Sequence, residues 1–246
     1  MCAIFNYADD NTVCCHGKNI VDIKRALENV ISEMLHWFKL NEMKVNNDKF
    51  QLILFSKNGI NSEESITVGD VIIPNQNVVK LLGVQFDNML SFDAHVDEIC
   101  RKAGRKLNVL ARLSKTLDFE SKLTLFHCFV LSHFEYCAVV WHFCSRDKMR
   151  KMEKIQKQAL RYVFNDYTSC YTELLRKADK TLLYVQRMRS ILCVVQNCLN
   201  KVGPVYLNDM FSINERSNGR MLWPLVQHKF NTTKFGFNSV CFHWLL

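Results

Sequence analysis

The feature that most constrains this chain is the helical spacing of apolar residues in its second half. From Ser91 onward they recur every three or four positions: Phe92, Val96, Ile99, Ala103, Leu107, Leu110 and Leu113. Such spacing forms one apolar stripe along a helix, which has to be buried against another element. Further helical patterns occupy residues 119–132, 133–144, 147–165 and 182–200. Only 8 glycines and 3 prolines interrupt the chain, so the second half is predicted to be helical.

The first ninety residues have a different pattern, with one predicted helix over residues 20–40 and several short β-rich runs. The predicted β segments are residues 2–8, 12–15, 50–55, 66–73 and 78–86. The first two flank a predicted turn, Asp9-Asp10-Asn11, and so predict a hairpin. The expected fold class is α+β. The expected division is an α+β unit (1–90), a helical unit (91–204) and a tail (205–246).

Charge is distributed unevenly along the chain, whose net charge is +8. Residues 1–90 hold 8 Lys/Arg against 11 Asp/Glu, a balance of −3. Residues 91–202 hold 20 against 11, a balance of +9. A basic helical region after an acidic start predicts that the second unit faces a polyanion.

The 11 cysteines form no C-x-x-C pair, and their number is odd. This predicts reduced core thiols in a cytosolic or nuclear protein. Zinc is the alternative, through Cys14-Cys15-His16 or the group Cys137, His142 and Cys144, although neither set has the spacing of a zinc finger.

No cleavable leader is apparent at the start of the sequence, where two aspartates follow closely. The most apolar stretch, 126–144, contains Glu135 and three histidines, so it is interpreted as a buried helix pair rather than a membrane span.

Two adjacent carboxylates, Asp9 and Asp10, lie at the predicted hairpin turn. Hard oxygen ligands suit Mg²⁺, which takes one or two carboxylates together with waters and substrate phosphates. In polymerases such ions stabilise the attacking and leaving oxygens. Taken alone, the same residues are also typical of an ordinary turn.

Several segments resemble, in order, the reverse transcriptases of non-LTR, LINE-like retrotransposons of the Jockey type. Tyr7-Ala8-Asp9-Asp10 resembles their metal-binding box, Asn46 and Lys49 their Asn-x-x-Lys segment, and 79–87 (VKLLGVQFD) their primer-grip strand. Residues 90–96 (LSFDAHV), 133–136 (HFEY) with Trp141, 152–161 (MEKIQKQALR) and 235–246 (FGFNSVCFHWLL) are similar to the regions that follow. The resemblance implies a C-terminal part of the polymerase palm followed by a helical thumb.

The resemblance also implies residue roles. Asp9 would bind Mg²⁺ directly and Asp10 would support it. Lys49 would lie near the phosphates of the incoming nucleotide and would act as a proton donor to pyrophosphate; the alternative is a solvated charge at a helix–strand junction. RNA template and DNA primer are the implied partners. The family also needs an upstream aspartate and fingers, which this sequence does not contain, so little or no polymerase activity is expected.

The predicted nucleic-acid-binding residues are basic and lie on the primer-grip strand and two helices: Lys80, Arg101, Lys102, Arg105, Lys106, Arg150, Lys154, Lys157 and Arg161. The last four step by 4, 3 and 4 along one helix face, as expected for a surface that follows a phosphate backbone without reading bases. The alternative is a solvated cationic face. At the level of the whole chain, the alternatives are a non-catalytic binding module, an inert remnant, or a group II intron maturase.

Overall fold

The structure is a computed structural model that describes residues 2–55 and 64–209. It is 56% helical and 15% strand, which confirms the α+β class. The chain divides into two compact units between Val79 and Lys80.

The first unit is built on one long helix and two hairpins. Strands β1 (Cys2–Tyr7) and β2 (Asp10–Cys15) pair antiparallel, and helix α1 (Ile20–Leu40) follows. The side chain of Asn19 accepts a hydrogen bond from the Val21 N–H and so caps α1. The helix has the predicted bounds because its apolar stripe is local in sequence.

The strand predicted at 50–55 was wrong. A 3₁₀ turn (Asn47–Lys49) leads into an extended segment that makes only an isolated bridge, between Leu52 and Asn75. Leu52 and Leu54 of this segment are nevertheless buried, whereas Phe55 is exposed. Burial of these alternate residues explains the strand-like pattern. The core of the unit consists of Leu27, Leu52, Leu54, Ile66, Val68 and Ile73.

The two later predicted strands are each a hairpin. Residues 66–73 correspond to β3 (Ser65–Val68) and β4 (Val71–Pro74), joined at Gly69-Asp70, where Gly69 has a φ of 59°. Residues 78–86 correspond to β5 (Val78–Leu81) and β6 (Val84–Asp87), joined at Leu82-Gly83. Glycine adopts the left-handed backbone at low cost, so the chain can reverse where the apolar run continues.

The second unit is a helical bundle. Its helices are α2 (Asp93–Leu113), α3 (Phe119–Leu125), α4 (Ser132–Glu135), α5 (Ala138–Trp141), α6 (Arg146–Phe164), α7 (Tyr171–Lys177), α8 (Leu183–Leu199) and α9 (Val205–Asn208). A π-helical segment, Phe126–Leu131, joins α3 to α4. The core is formed mainly by α2, α6 and the π segment, with Val96, Phe126, Phe134, Trp141, Met152 and Leu160 at most 3% exposed.

Some helix boundaries in this unit differ from the prediction. The helix predicted to end at 132 continues to Glu135, and the chain then breaks at Cys137, whose φ is 48°. Helix α7 was not predicted, because seven residues are too few to show a helical period. The predicted tail beyond residue 209 lies outside the described residues.

The cysteines correct the expectation of reduced core thiols. The hairpin register places Cys2 opposite Cys15, and the two form a disulfide. Of the free thiols in the described ranges, Cys100, Cys144 and Cys198 are buried and the other five are exposed. Burial raises the pKa of both Cys100 and Cys144 to about 11, so these two thiols are protonated and unreactive at neutral pH.

The stretch 126–144 is divided between the π segment and two short helices, and Phe126, Phe134 and Trp141 pack in the bundle core. Within residues 2–55 and 64–209, no helix combines the length and apolar character needed to cross a membrane.

Candidate nucleic-acid interface and metal turn

The aspartate pair stands at the tip of the first hairpin. The turn consists of Ala8 and Asp9, and Asp10 begins β2 opposite Tyr7. The predicted turn, Asp9-Asp10-Asn11, was therefore wrong in its bounds, because Asp10 and Asn11 belong to β2 and Ala8 belongs to the turn. Ala8 has a φ of 52°, which a residue other than glycine rarely adopts. Both aspartates are exposed, and the Asp9 carbonyl accepts a bond from the Asn11 amide at 3.4 Å.

Asp9 and Asp10 are the two carboxylates predicted from the sequence to bind Mg²⁺. They are hard oxygen ligands, and a hydrated Mg²⁺ can be held by two of them when substrate phosphates complete the shell. Across the described part of the chain, no group of three His, Cys, Asp or Glu side chains gathers around a common point. This holds for both sets considered for zinc, and Cys15 is committed to the disulfide.

Lys49 is the last residue of the 3₁₀ turn, on a different element from the aspartates. The Asn46 side chain accepts a bond from the Asp48 N–H at 3.1 Å and caps this turn. Lys49 is exposed. Lys80 is exposed as well, on the outer side of β5, whose residues alternate between exposed and half-buried.

The four basic residues of α2 have different surroundings. Arg101 binds both carboxylate oxygens of Glu98, at 2.6 and 2.7 Å, and Lys102 lies 3.5 Å from the same carboxylate. Lys106 stands 5.0 Å from the ring centre of Phe129, a cation–π contact. Arg105 makes no ion pair with any described residue.

Helix α6 shows the same division between paired and unpaired cations. Arg150 lies 3.3 Å from Asp147, whereas Lys154 and Lys157 make no ion pair in the described ranges. Arg161 is half-buried, and its Nε is buried without a hydrogen-bond partner there. The four basic residues of α6 therefore differ in the charge that they present to solvent. Arg150 is paired and Arg161 is half-buried, whereas Lys154 and Lys157 are neither.

An ion-pair seam joins the two basic helices. Asp97 of α2 binds both Lys148 and Lys151 of α6, the latter at 2.9 Å. Hydrogen bonds from Lys148 and then Lys151 lower the pKa of Asp97, so its carboxylate stays ionised. Asp97 and Lys151 keep 45% and 52% of their side-chain surface exposed, which puts the seam at the solvent edge of the α2–α6 contact.

The seam relates the two basic stripes to each other. At about 100° per residue, Arg101 and Arg105 lie about 40° and 80° beyond Asp97 around α2. Lys154 lies about 60° beyond Lys151 around α6. On each helix this rotation leads away from the buried side. Arg101 and Arg105 of α2 and Lys154 of α6 therefore lie on opposite sides of the seam on one solvent-facing surface, here called the α2–α6 face.

Some residues of this face were missed in the sequence. Arg112 continues the line of Arg101 and Arg105 on α2 and is exposed. Glu98 could have been recognised as a neutralising partner, because it precedes Arg101 and Lys102 by three and four residues. Asp97 could not, since its lysine partners are 51 and 54 positions away.

Comparison with known proteins gives distant relatives. No protein-family model matches the chain. No solved structure matches it. The RNA-directed DNA polymerase from mobile element jockey of Drosophila funebris is 24% identical over 163 residues, which cover 65% of this chain. The corresponding jockey protein of Drosophila melanogaster is 22% identical over 164 residues, again 65% of this chain.

A third relative is the probable RNA-directed DNA polymerase from transposon X-element of Drosophila melanogaster, 22% identical over 161 residues and 64% of this chain. In each case the match spans 18% of the length of the relative. The chain is therefore a distant homologue of a part of the RNA-directed DNA polymerases of jockey and X-element mobile elements.

Proposed function

We propose that this chain is a segment of a non-LTR retrotransposon reverse transcriptase, in which residues 1–90 are the C-terminal part of the palm and residues 91–204 are the helical thumb. In this proposal the second unit binds an RNA–DNA duplex through its phosphates. The observation that carries the proposal is the α2–α6 face, where cations without acidic partners stand on both sides of one ion-pair seam. The named activity of the three relatives supports the choice of nucleic acid as the polyanion.

The ion pairs indicate which of the basic residues are available to bind phosphates. A cation already bound to a carboxylate releases less counterion charge on binding a phosphate than an unpaired cation does. Arg105, Arg112, Lys154 and Lys157 are therefore the proposed phosphate contacts of this face. Lys106 lies about 180° from Asp97 around α2, over the ring of Phe129, and so points away from this face. Arg101, Lys102 and Arg150 contribute less, because Glu98 and Asp147 already neutralise them.

The proposal assigns Asp9 and Asp10 to Mg²⁺ and Lys49 to the phosphates of a nucleotide. The ion would supply charge stabilisation at the reacting phosphate. The described residues offer it two carboxylates and no third. We therefore propose that the 246-residue chain binds duplex but does not extend a primer by itself.

Duplex binding is tested by fluorescence anisotropy on a labelled RNA–DNA hybrid over a salt series. Four phosphate contacts predict that log K falls with log salt at a slope of about −3.6, from about −0.9 per contact. The double variant Arg105→Gln/Lys154→Gln should flatten the slope by about 1.8.

The chain supplies a matched control for that variant. Arg101 and Arg150 lie four residues upstream of Arg105 and Lys154 on the same helices, and each is paired with a carboxylate. Arg101→Gln/Arg150→Gln removes the same charge and should flatten the slope by less than half as much. Equal effects of the two variants would show that binding depends on net charge alone and not on which cations are unpaired. Binding that does not change with salt would contradict the proposal and favour the inert remnant.

A further inference from the structure

An exposed tyrosine stands at the C-terminal end of the α2–α6 face. Tyr167, three residues after the end of α6, is 57% exposed. Its ring centre lies 6.1 Å from that of Tyr162, and the two ring planes meet at 74°. Tyr162 lies about 20° from Lys151 around α6, so it belongs to the side of the helix that carries the seam. The contact between the rings therefore places Tyr167 at the end of that face.

The geometry of the tyrosine pair leaves a face of the Tyr167 ring open. In an edge-to-face pair only one ring presents a face to the other, so at least one face of Tyr167 is not covered by Tyr162. Tyr162 is itself fixed, because it packs against the bundle core and its hydroxyl accepts a bond from Gln158 Nε2 at 3.1 Å. Tyr167 thus offers a flat aromatic surface on a fixed support.

The loop that carries Tyr167 is held by the carboxylate of its neighbour. Asp166 Oδ1 accepts bonds from the Thr168 N–H at 3.2 Å and the Ser169 N–H at 2.9 Å. Its Oδ2 accepts from the Ser169 hydroxyl and from Lys177. Hydrogen bonds from Lys177 and then Ser169 lower the pKa of Asp166, so the carboxylate stays ionised at neutral pH. A ring whose backbone is ordered before binding loses less entropy when a ligand stacks on it.

The basic stripe of α2 reaches the same end of the face. Asp97 and Lys151 join the beginnings of α2 and α6. Phe164, the last residue of α6, contacts Phe119 at the start of α3, at 5.4 Å between ring centres. The two helices therefore run side by side in the same direction. Arg112, one residue before the end of α2, lies at this end; it is exposed and forms no ion pair with any described residue.

An aromatic ring at the end of a row of cations suits a strand of nucleic acid that leaves a duplex. Proteins bind single strands by contacting phosphates with cations and stacking bases on aromatic rings. A base inside a duplex has both faces covered by its neighbours, whereas an unpaired base beyond the last pair has a free face. The polar neighbours of Tyr167, which are Asn165, Asp166 and Thr168, disfavour an apolar peptide or a lipid surface as the occupant.

We infer that Tyr167 binds an unpaired nucleobase by stacking, at the point where a single strand leaves the duplex on the α2–α6 face. This inference rests on the proposed duplex binding and adds the form of nucleic acid that the face selects, a hybrid with a single-stranded overhang. The stacked base is recognised by its flat surface, so any of the four bases is accepted.

The test compares two labelled RNA–DNA hybrids by fluorescence anisotropy. Both carry the same short overhang, but in one of them the overhang is abasic and keeps only its sugars and phosphates. The overhang is placed in turn at each end of each strand. In at least one position the chain should bind the base-bearing hybrid about 10-fold more tightly, the value for one stacked base. The salt slope should be the same for both hybrids, because their phosphates are the same.

Substitutions at Tyr167 separate stacking from hydrogen bonding. Tyr167→Leu should reduce the ratio of the two affinities to about 1, whereas Tyr167→Phe should keep it near 10, because stacking needs the ring and not the hydroxyl. Tyr184→Leu is the matched control. Tyr184 is 45% exposed and also has one aromatic neighbour, His142 at 5.1 Å between ring centres, but it lies on α8. That control should leave the ratio unchanged.

Each outcome supports or overturns the inference. Equal binding of base-bearing and abasic overhangs by the unsubstituted chain, in every position, overturns it, while salt-dependent binding of a blunt hybrid leaves the proposed duplex binding intact. A ratio that falls equally in Tyr167→Leu and Tyr184→Leu, or that is lost in Tyr167→Phe, also overturns it. Absence of salt-dependent binding to any hybrid overturns both. The comparison of the two overhangs needs no substitution, so a variant that fails to fold does not prevent the test.

Discussion

Replacing Arg187 with methionine is expected to stabilise the helical unit. Arg187 lies on α8, is 2% exposed, and has Trp141 beneath it at 5.4 Å from the ring centre. Its Nη1 contacts the Met152 sulfur at 3.9 Å, a weak acceptor. Its Nε and Nη2 are buried with no hydrogen-bond partner in the described part of the chain, and burial lowers the pKa of the guanidinium.

The magnitude follows from these contacts. Each buried N–H without an acceptor costs about 1–3 kcal/mol, so the two cost about 2–6 kcal/mol. The cation–π contact with Trp141 offsets about 2 kcal/mol. Methionine keeps an unbranched chain and has no donor to satisfy, so Arg187→Met should gain about 1–3 kcal/mol, in the range seen when buried charges are replaced by apolar groups. For a domain of this size that raises Tm by roughly 3–10 °C.

Thermal unfolding followed by circular dichroism measures the change, with urea unfolding as a second measure. Arg189→Met is the control, because Arg189 lies two residues further along α8 and is exposed. That control should change Tm little. A lower Tm for Arg187→Met than for Arg189→Met would refute the reasoning, since it would mean that the buried guanidinium has compensating partners.

Two further predictions concern pH and catalysis. Burial, and then Lys102, lower the pKa of His95, while Glu98 acts in the opposite direction. The folded state therefore favours neutral His95, and its stability is full above about pH 6.5 and falls as the pH drops toward the lowered folded-state value. Exchange of the Gln85 amide, corrected for its intrinsic rate, should accelerate between pH 7 and pH 5; an unchanged protection factor would contradict this. In primer extension on an RNA template with Mg²⁺ or Mn²⁺, the 246-residue chain should give no product, whereas extension abolished by Asp9→Asn would show that two carboxylates suffice.

Helices were the part of the fold best predicted from the sequence. The helices predicted at 20–40, 147–165 and 182–200 end within one residue of α1, α6 and α8. Their signal is local, because residues three and four apart share a helix face wherever the helix packs. Glu98 with Arg101 is a local relation for the same reason.

Strands and turns were predicted less well. Two apolar runs were interpreted as single strands, and the structure folds each into a hairpin. A run of apolar residues does not record where the chain reverses, because pairing depends on a partner strand that the run itself does not specify. Residues 50–55 show the opposite case. Leu52 and Leu54 are buried as in a strand, but the segment makes only an isolated bridge and no strand pairing.

The candidate site shows the same difference between relations that are local in sequence and contacts that are not. The sequence by itself determined which helices carry basic stripes and which turn carries two carboxylates, since both are relations between near neighbours. Only the tertiary structure decided which cations remain unpaired and that Asp97 joins α2 to α6. Those contacts join residues more than fifty positions apart, and their free energy arises from packing that no local pattern encodes.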